Sequence, residues 1–193
     1  MKTKKAEEEG GAKRSSYHHG DLRRALLRAA REEIAAHGAQ GLALASLARR
    51  AGVSQPAPYR HFADREALLA AVATEGFEEF TAALVEAQRA GDERGSLRRM
   101  ALAYVRFAEA NIELYRLMFA SRLVPEAAKG STLAVAADGG FSPLLEVIAA
   151  RHGGKHAERK AVARWAQLHG LVMLKADGFI EEPLEVTINE FEL

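Results

Sequence analysis

Residues 44–68 read LASLARRAGVSQPAPYRHFADREAL, and this stretch decides the fold. Leu44, Leu47, Ala48 and Ala51 recur at helical spacing, which predicts a short helix over 44–51 with one apolar side. Gly52 is predicted to stop it, because a left-handed backbone carries no Cβ penalty at glycine. Ser54 is then placed to cap a second, very short helix over 55–62, and Asp64 to cap a third segment. Two short helices about a tight turn are helix-turn-helix geometry. Ala48 is small where the two helices would cross, and Val53 would plug their junction. The second helix would turn its N-terminal residues outward, the place from which such a helix touches base edges in the major groove. Pro56 falls near the second helical position, where a missing N–H has no consequence. Pro58 falls near the fourth, where one helical bond is expected to be lost, which predicts a rigid, slightly irregular reading helix.

Outward from this segment the chain is rich in Ala, Leu, Glu and Arg, the strong helix formers. A helix is predicted over 21–37, capped by Asp21, with Leu26, Ala30 and Ile34 as its stripe beside Leu22 and Leu27, and ended by Gly38. A long helix is predicted over 64–90, with Leu68, Leu69, Val72, Phe77, Phe80 and Leu84 on one side. Gly91 and Gly95 bracket a polar linker. Further helices are predicted over 96–110, 112–122, 142–151 and 156–176, with loops at ADGG (137–140) and HGG (152–154). Pro183 breaks any helix in the tail, where VTI is open to an extended conformation. With no sustained period-2 run, the predicted class is all-α. The predicted organisation is a flexible basic arm over 1–16, a helix-turn-helix head over 17–65 and a helical body over 66–193.

Charge supports that division. The first 65 residues of the 193 hold 13 Lys+Arg against 7 Asp+Glu, while the rest hold 14 against 19. A basic third on an acidic remainder suits one end meeting a polyanion. The absence of cysteine excludes a disulfide scaffold, a Cys-ligated zinc site and a thiol nucleophile. No apolar leader precedes the first helix, and the uncharged run 165–174 is about half a membrane span; the expected setting is the cytoplasm, with no membrane partner. His18, His19, His152 and His156 lack the alignment a metal site needs, so no metal and no cofactor is expected. No phosphate loop, metalloprotease helix or nucleophile elbow is recognisable.

The run AGVSQPAPYRHFADREALL (51–69) closely resembles the DNA-binding region of the tetracycline-repressor family of bacterial transcriptional regulators. YHHGDLRRALLRAA (17–30), NIELYRLMF (111–119) and WAQLHGLVMLKADG (165–178) resemble the subgroup of that family with a Trp…His-Gly motif in its C-terminal domain. The resemblance implies phosphate contacts by Tyr59, His61 and Arg65, beside Ser54, and base reading at Gln55 and Ala57. Arg65 stands where the family usually has Lys, and Ala43 where it usually has a capping Ser or Thr. Ile112 replaces a frequent proline.

The same resemblance implies that 17–65 is a helix-turn-helix DNA-binding domain and 66–193 an effector-binding and dimerisation domain, with a small-molecule pocket among the C-terminal helices. Tyr104, Phe107, Met118 and Trp165 are the candidate lining, drawn from a larger aromatic set that includes Tyr115 and Phe119. The last long helix carries apolar residues wider than one stripe. Ala166, His169, Gly170 and Met173 are its candidate homodimer contacts, against the alternative of a fully buried core helix with a hydrogen-bonded His169. The leading expectation is a regulator, most often a repressor, released from a pseudo-palindromic operator by an effector, and not an enzyme. A constitutive or architectural DNA-binding protein without effector stays open at this point, as does, remotely, a small helical enzyme.

Overall fold

The computed structural model describes residues 19–153 and 156–190, so the predicted arm over 1–16 and His18 lie outside the described residues. Among the described residues the chain is helical and holds no strand. The helices are α1 (His19–His37), α2 (Leu44–Arg50), α3 (Arg65–Arg89), α4 (Ser96–Ala110), α5 (Ile112–Phe119), α6 (Leu123–Glu126), α7 (Thr132–His152), α8 (Ala157–Ala176) and α9 (Leu184–Asn189), with a 3₁₀ turn at Pro58–Arg60 between α2 and α3. α1 starts two residues ahead of Asp21, which is therefore not its cap.

The N-terminal head forms because three apolar faces meet. Leu26, Leu27, Ala30 and Ile34 of α1 are buried, as are Leu44, Leu47 and Ala48 of α2, Phe62, and Leu68 and Leu69 of α3. Each such leucine or phenylalanine contributes about 1.5–3 kcal/mol on burial. Arg50 donates to Glu32 and Glu33, both at 2.7 Å, and so aligns α2 on α1; such exposed pairs add at most about 1 kcal/mol each. The turn after α2 is closed by two crossed bonds, Val53 N–H to Ala48 O (3.0 Å) and Gly52 N–H to Arg49 O (3.2 Å). This 6→1, 5→2 pattern requires a left-handed residue between them, and Gly52 supplies it with φ +66°.

The second helix of the motif is shorter than its sequence predicts. Residues 54–57 form a turn, closed by Ala57 N–H on Ser54 O (3.0 Å), and only Pro58–Arg60 is helical, as a 3₁₀ turn without a side-chain cap. Ala57, ahead of Pro58, is itself in the helical region (φ −62°, ψ −42°), and Pro58 stands at the first position of the 3₁₀ turn, where a missing N–H has no consequence. The bond expected to be lost at Pro58 is not at stake, because Pro58 opens the 3₁₀ turn, and its own carbonyl accepts from Phe62 N–H at 3.0 Å. Pro58 is buried while Tyr59 beside it is 54% exposed.

α3 is the spine. Asp64 caps it by accepting from Ala67 N–H (2.7 Å). Its buried side runs Leu68, Leu69, Val72, Ala73, Gly76, Phe77, Phe80, Leu84, serving the head first and the C-terminal bundle afterwards. The bundle surrounds it with α4, α5 and α7. α5 crosses it at Gly76, where an added Cβ would lie 2.8 Å from Met118 Sδ and 3.1 Å from Leu114 Cδ1.

Three expectations for the C-terminal half are corrected. ADGG (137–140) is not a loop but lies inside α7. Two glycines in a helix weaken it by roughly 1 kcal/mol each, yet Gly140 is buried with its Cβ position 3.4–3.6 Å from the rings of Phe77 and Phe80, so the glycine brings α7 down onto α3. The helix predicted over 112–122 ends at Phe119, and α6 follows. The tail is helical, not extended: Pro183 precedes α9, whose Leu184 and Ile188 are buried, with α9 packed on α4 and α8. One helix among the described residues, Thr132–Arg151 within α7, is long and apolar enough to cross a membrane, whereas the sequence singled out 165–174. In this fold the stretch packs on α3 and α8.

Gly52 tests the head. An added Cβ there meets nothing within 4 Å, so Gly52→Ala carries only the left-handed backbone penalty. We expect a loss of about 1–2 kcal/mol in urea unfolding, with Gly52→Asn losing less.

Candidate functional site

Two regions of the molecule gather functional chemistry: the outer edge of the head, and a cavity in the bundle. At the head, Ser54, Gln55, Tyr59 and Arg60 are exposed, and Ala57 and His61 half-buried. They share one short loop and turn, held from behind by buried Pro58 and Phe62. Gln55 and Ala57, expected to read bases, therefore stand on a turn and not on a helix. Arg23 of α1 sits 5.5 Å from the centre of the Phe62 ring, which ties α1 to the base of this loop.

Arg65, expected to hold phosphate, also serves the fold. Its Nε donates to Leu42 O (2.9 Å), and Nη2 donates to Ala39 O (2.5 Å) and Gln40 O (3.2 Å). Three of its five N–H groups thus pin the α1–α2 connection to the start of α3. A lysine could reach these three carbonyls only as a point charge, whereas the planar fork meets them together.

The cavity lies between α3, α4, α5, α7 and α8, with a volume of about 760 Å³. Its wall is mostly apolar and includes Phe77, Phe80, Phe119, Phe141 and Leu144. Of the four residues expected to line it, Tyr104, Met118 and Trp165 do. Phe107 does not: it packs edge-on against Phe80, ring centres 5.2 Å apart, one layer behind the wall. Of the expected dimer contacts, Ala166 and His169 line the cavity. Ala166 is also exposed, and Gly170 and Met173 are half-buried, so α8 is not a fully buried core helix.

A hydrogen-bonded chain runs through one side of this wall. Trp165 Nε1 donates to Tyr104 Oη (3.1 Å), Tyr104 Oη meets Tyr115 Oη (2.6 Å), and Tyr115 Oη meets His169 Nδ1 (2.7 Å). Tyr115 was visible in sequence as one of the aromatics, but nothing there singled it out; only the crossing of α4, α5 and α8 puts its hydroxyl between two partners. The direction of the chain follows from donor accounting. An indole N–H can only donate, so Tyr104 accepts from Trp165. If Tyr115 also donated to Tyr104, the Tyr104 hydroxyl proton would be left without an acceptor at a residue 3% exposed, a penalty of about 1–3 kcal/mol. Tyr104 therefore donates to Tyr115, and Tyr115 to His169. His169 Nδ1 is then an acceptor, and the ring carries its proton on Nε2.

The ionisation of these groups agrees. Burial pushes the Tyr104 phenol up to about 12, with the Tyr115 and Trp165 hydrogen bonds opposing. Burial raises Tyr115 as well, helped by Tyr104. Burial lowers His169 below the ordinary histidine value. All three are neutral at physiological pH. Among the described residues no group of three or more His, Cys, Asp or Glu could hold a metal ion.

An outward helix-turn-helix edge on a spine that continues into a cavity-bearing helical bundle is the form of a DNA-binding regulator. Comparison with known proteins is specific. Residues 26–72 match the family described as bacterial regulatory proteins, tetR family, and residues 97–191 match the tetracyclin repressor-like C-terminal domain. The HTH-type transcriptional activator FasR of Mycolicibacterium smegmatis is 31% identical over 170 residues, 87% of this chain and 75% of that protein. A solved structure from Rhodococcus sp. RHA1, a protein with unknown function, is 37% identical and superposes with a TM-score of 0.79 over 91% of this chain and 94% of the other. The fatty acid degradation regulator FadR from Bacillus halodurans shares the fold at 17% identity, with a TM-score of 0.70 over 89% of this chain and 92% of that one. The chain belongs to the tetracycline-repressor family of transcriptional regulators.

The lowered His169 predicts a pH dependence. Its folded value lies below the unfolded value of about 6.5, so the unfolded chain takes up a proton that the folded chain resists. The stabilisation is complete above pH 6.5 and is lost as pH falls through the folded value. The stability difference between wild type and His169→Leu, read by urea unfolding, should shrink from pH 7.5 to pH 5.5.

Proposed function

We propose that this protein acts as a homodimeric, effector-responsive regulator that binds a pseudo-palindromic operator and leaves it when a small molecule fills the cavity. The observation that carries this reading is the continuity of α3. Its first turn is fixed to the head by the Arg65 guanidinium, and its later residues Phe77, Phe80 and Leu84 form cavity wall. A helix of 25 residues spans roughly 37 Å at 1.5 Å per residue, so a small tilt at the wall becomes a larger displacement at the head. The effector then needs only different affinities for the two head spacings. Release on binding is the repressor form; the activator name of the FasR relative is the reason to read the sign of the response in a transcription assay.

In this reading Ser54, Tyr59 and His61 hold phosphates, with the remaining N–H groups of Arg65. Gln55 reads adenine through its paired donor and acceptor, and the Ala57 methyl meets that of thymine. The cytoplasm follows from the role at DNA. The partner subunit would pack on the exposed side of α8, where Val162 and Leu174 are about half exposed and Ala166, Gly170 and Met173 lie between them, with Val162 and Ala166 at the rim of the cavity. The small residues there permit close helix approach, and two heads so joined would meet successive major grooves about 34–36 Å apart. The Trp…His-Gly subgroup is the branch we assign, on Trp165, His169 and Gly170.

Binding to the chain's own upstream DNA tests the head. Tyr59→Phe should weaken binding similarly on all sequences, at least about tenfold for one hydrogen bond to a charged phosphate. Gln55→Ala should instead lower discrimination at one base pair by about 1–3 kcal/mol. Equal behaviour of the two variants would overturn the division into grip and readout.

Gly170 tests the dimer. A Cβ there meets nothing within 4 Å, so Gly170→Arg should keep the protomer fold while sedimentation shows a monomer. A dimer unchanged in Gly170→Arg would move the interface off this face.

A further inference from the structure

Resting on the effector reading, we propose that the cavity takes an uncharged, largely apolar small molecule with one hydrogen-bond acceptor, a carbonyl or ether oxygen, seated on the Nε2–H of His169. Three observations lead there. The first is the wall: rings and aliphatic side chains make most of it, so the body of the ligand has to be apolar. The second is charge. The charged residues of the lining are Asp138, Glu158 and Arg164, two carboxylates against one guanidinium, and Arg164 already donates to Gln167 Oε1 at 3.1 Å. An anionic head group entering here loses its water and meets more negative charge than positive.

The third is the direction of the hydrogen-bonded chain. Trp165 cannot reverse it, so the protons of Trp165, Tyr104 and Tyr115 are all engaged within the wall. The chain ends on His169, and its last donor is Nε2–H. Among the described residues no buried side-chain nitrogen or oxygen lacks a partner. Among the described residues Nε2 has no hydrogen-bond partner, so it is accessible, on a residue that lines the cavity. The wall therefore offers a neutral donor there and asks for an acceptor. A charged imidazole would have to donate from Nδ1 as well, turning Tyr115 round and leaving the Tyr104 proton without an acceptor. The same chain that presents Nε2–H also keeps the ring from pairing with an anion as a cation.

Trp165 is the chain's single tryptophan and lines the cavity, so its fluorescence reports binding in the full-length protein. The probes are 2-nonanone, nonanoate and nonylammonium, which share an apolar tail and differ in the head. We expect 2-nonanone to bind at least about tenfold more tightly than nonanoate at pH 7.5. His169→Phe, which keeps a ring in place, should weaken 2-nonanone about fivefold, the worth of one hydrogen bond. Nitrogen NMR of the His169 imidazole serves as a second measurement that needs no variant. It should show a neutral ring protonated at Nε2, free and with 2-nonanone bound. Nonanoate or nonylammonium binding more tightly than the ketone, a proton on Nδ1, or unchanged ketone affinity in a folded His169→Phe would overturn the anchor and leave the effector cavity standing. Silence of Trp165 with all three probes would overturn both the anchor and the effector reading.

Discussion

Everything in this molecule hangs on one helix that has to satisfy two cores. α3 uses Leu68 and Leu69 to close the head and Phe77, Phe80 and Leu84 to wall the cavity, so neither part is complete without it. Close packing makes such a helix a poor place to absorb change locally. At Gly76 the side chains of Met118 and Leu114 on α5 fill the place where a Cβ would be; a shift of α5 is therefore a shift of α3. The other end of α5 reaches the head directly, where Glu113 lies 3.2 Å from the Cβ position of Gly38.

The polar chain through Trp165, Tyr104, Tyr115 and His169 is the opposite kind of element. Set among rings, each hydroxyl would be a liability if left unpaired. Its members come from three helices, so the chain stitches α4, α5 and α8 at one level of the bundle. Arg116 adds a second stitch nearby, from α5 to Asp177 (2.7 Å) just past α8. The cavity is thus bounded by groups that hold position, and a ligand that fits them meets a preorganised wall.

The sequence made the head legible because local signals and burial agree there. Leu26, Ala30, Ile34, Leu47 and Ala48 stand at helical spacing and are buried, and Gly52 holds the positive φ its turn needs. Where it failed, a tertiary effect overrode local chemistry. Gly139 and Gly140 look like a loop until the phenylalanines of α3 are placed beneath them. Pro56 and Pro58 mark an irregular helix, but only the folded head shows that the helix reduces to one 3₁₀ turn. That Arg65 also gives three of its N–H groups to carbonyls of the α1–α2 connection is likewise visible only in the folded head.

What the sequence determined by itself was the all-α class, the helix-turn-helix, the basic head on an acidic body and the small-residue face of α8, since each is written in residue type and in spacing of four or fewer. What the tertiary structure decided was which aromatics enclose the cavity, why Phe107 falls behind its wall, and which way protons point along the Tyr104–Tyr115–His169 chain. Those depend on partners 11, 54 and 61 residues apart, and no periodicity in one dimension encodes a contact that helix crossing creates in three.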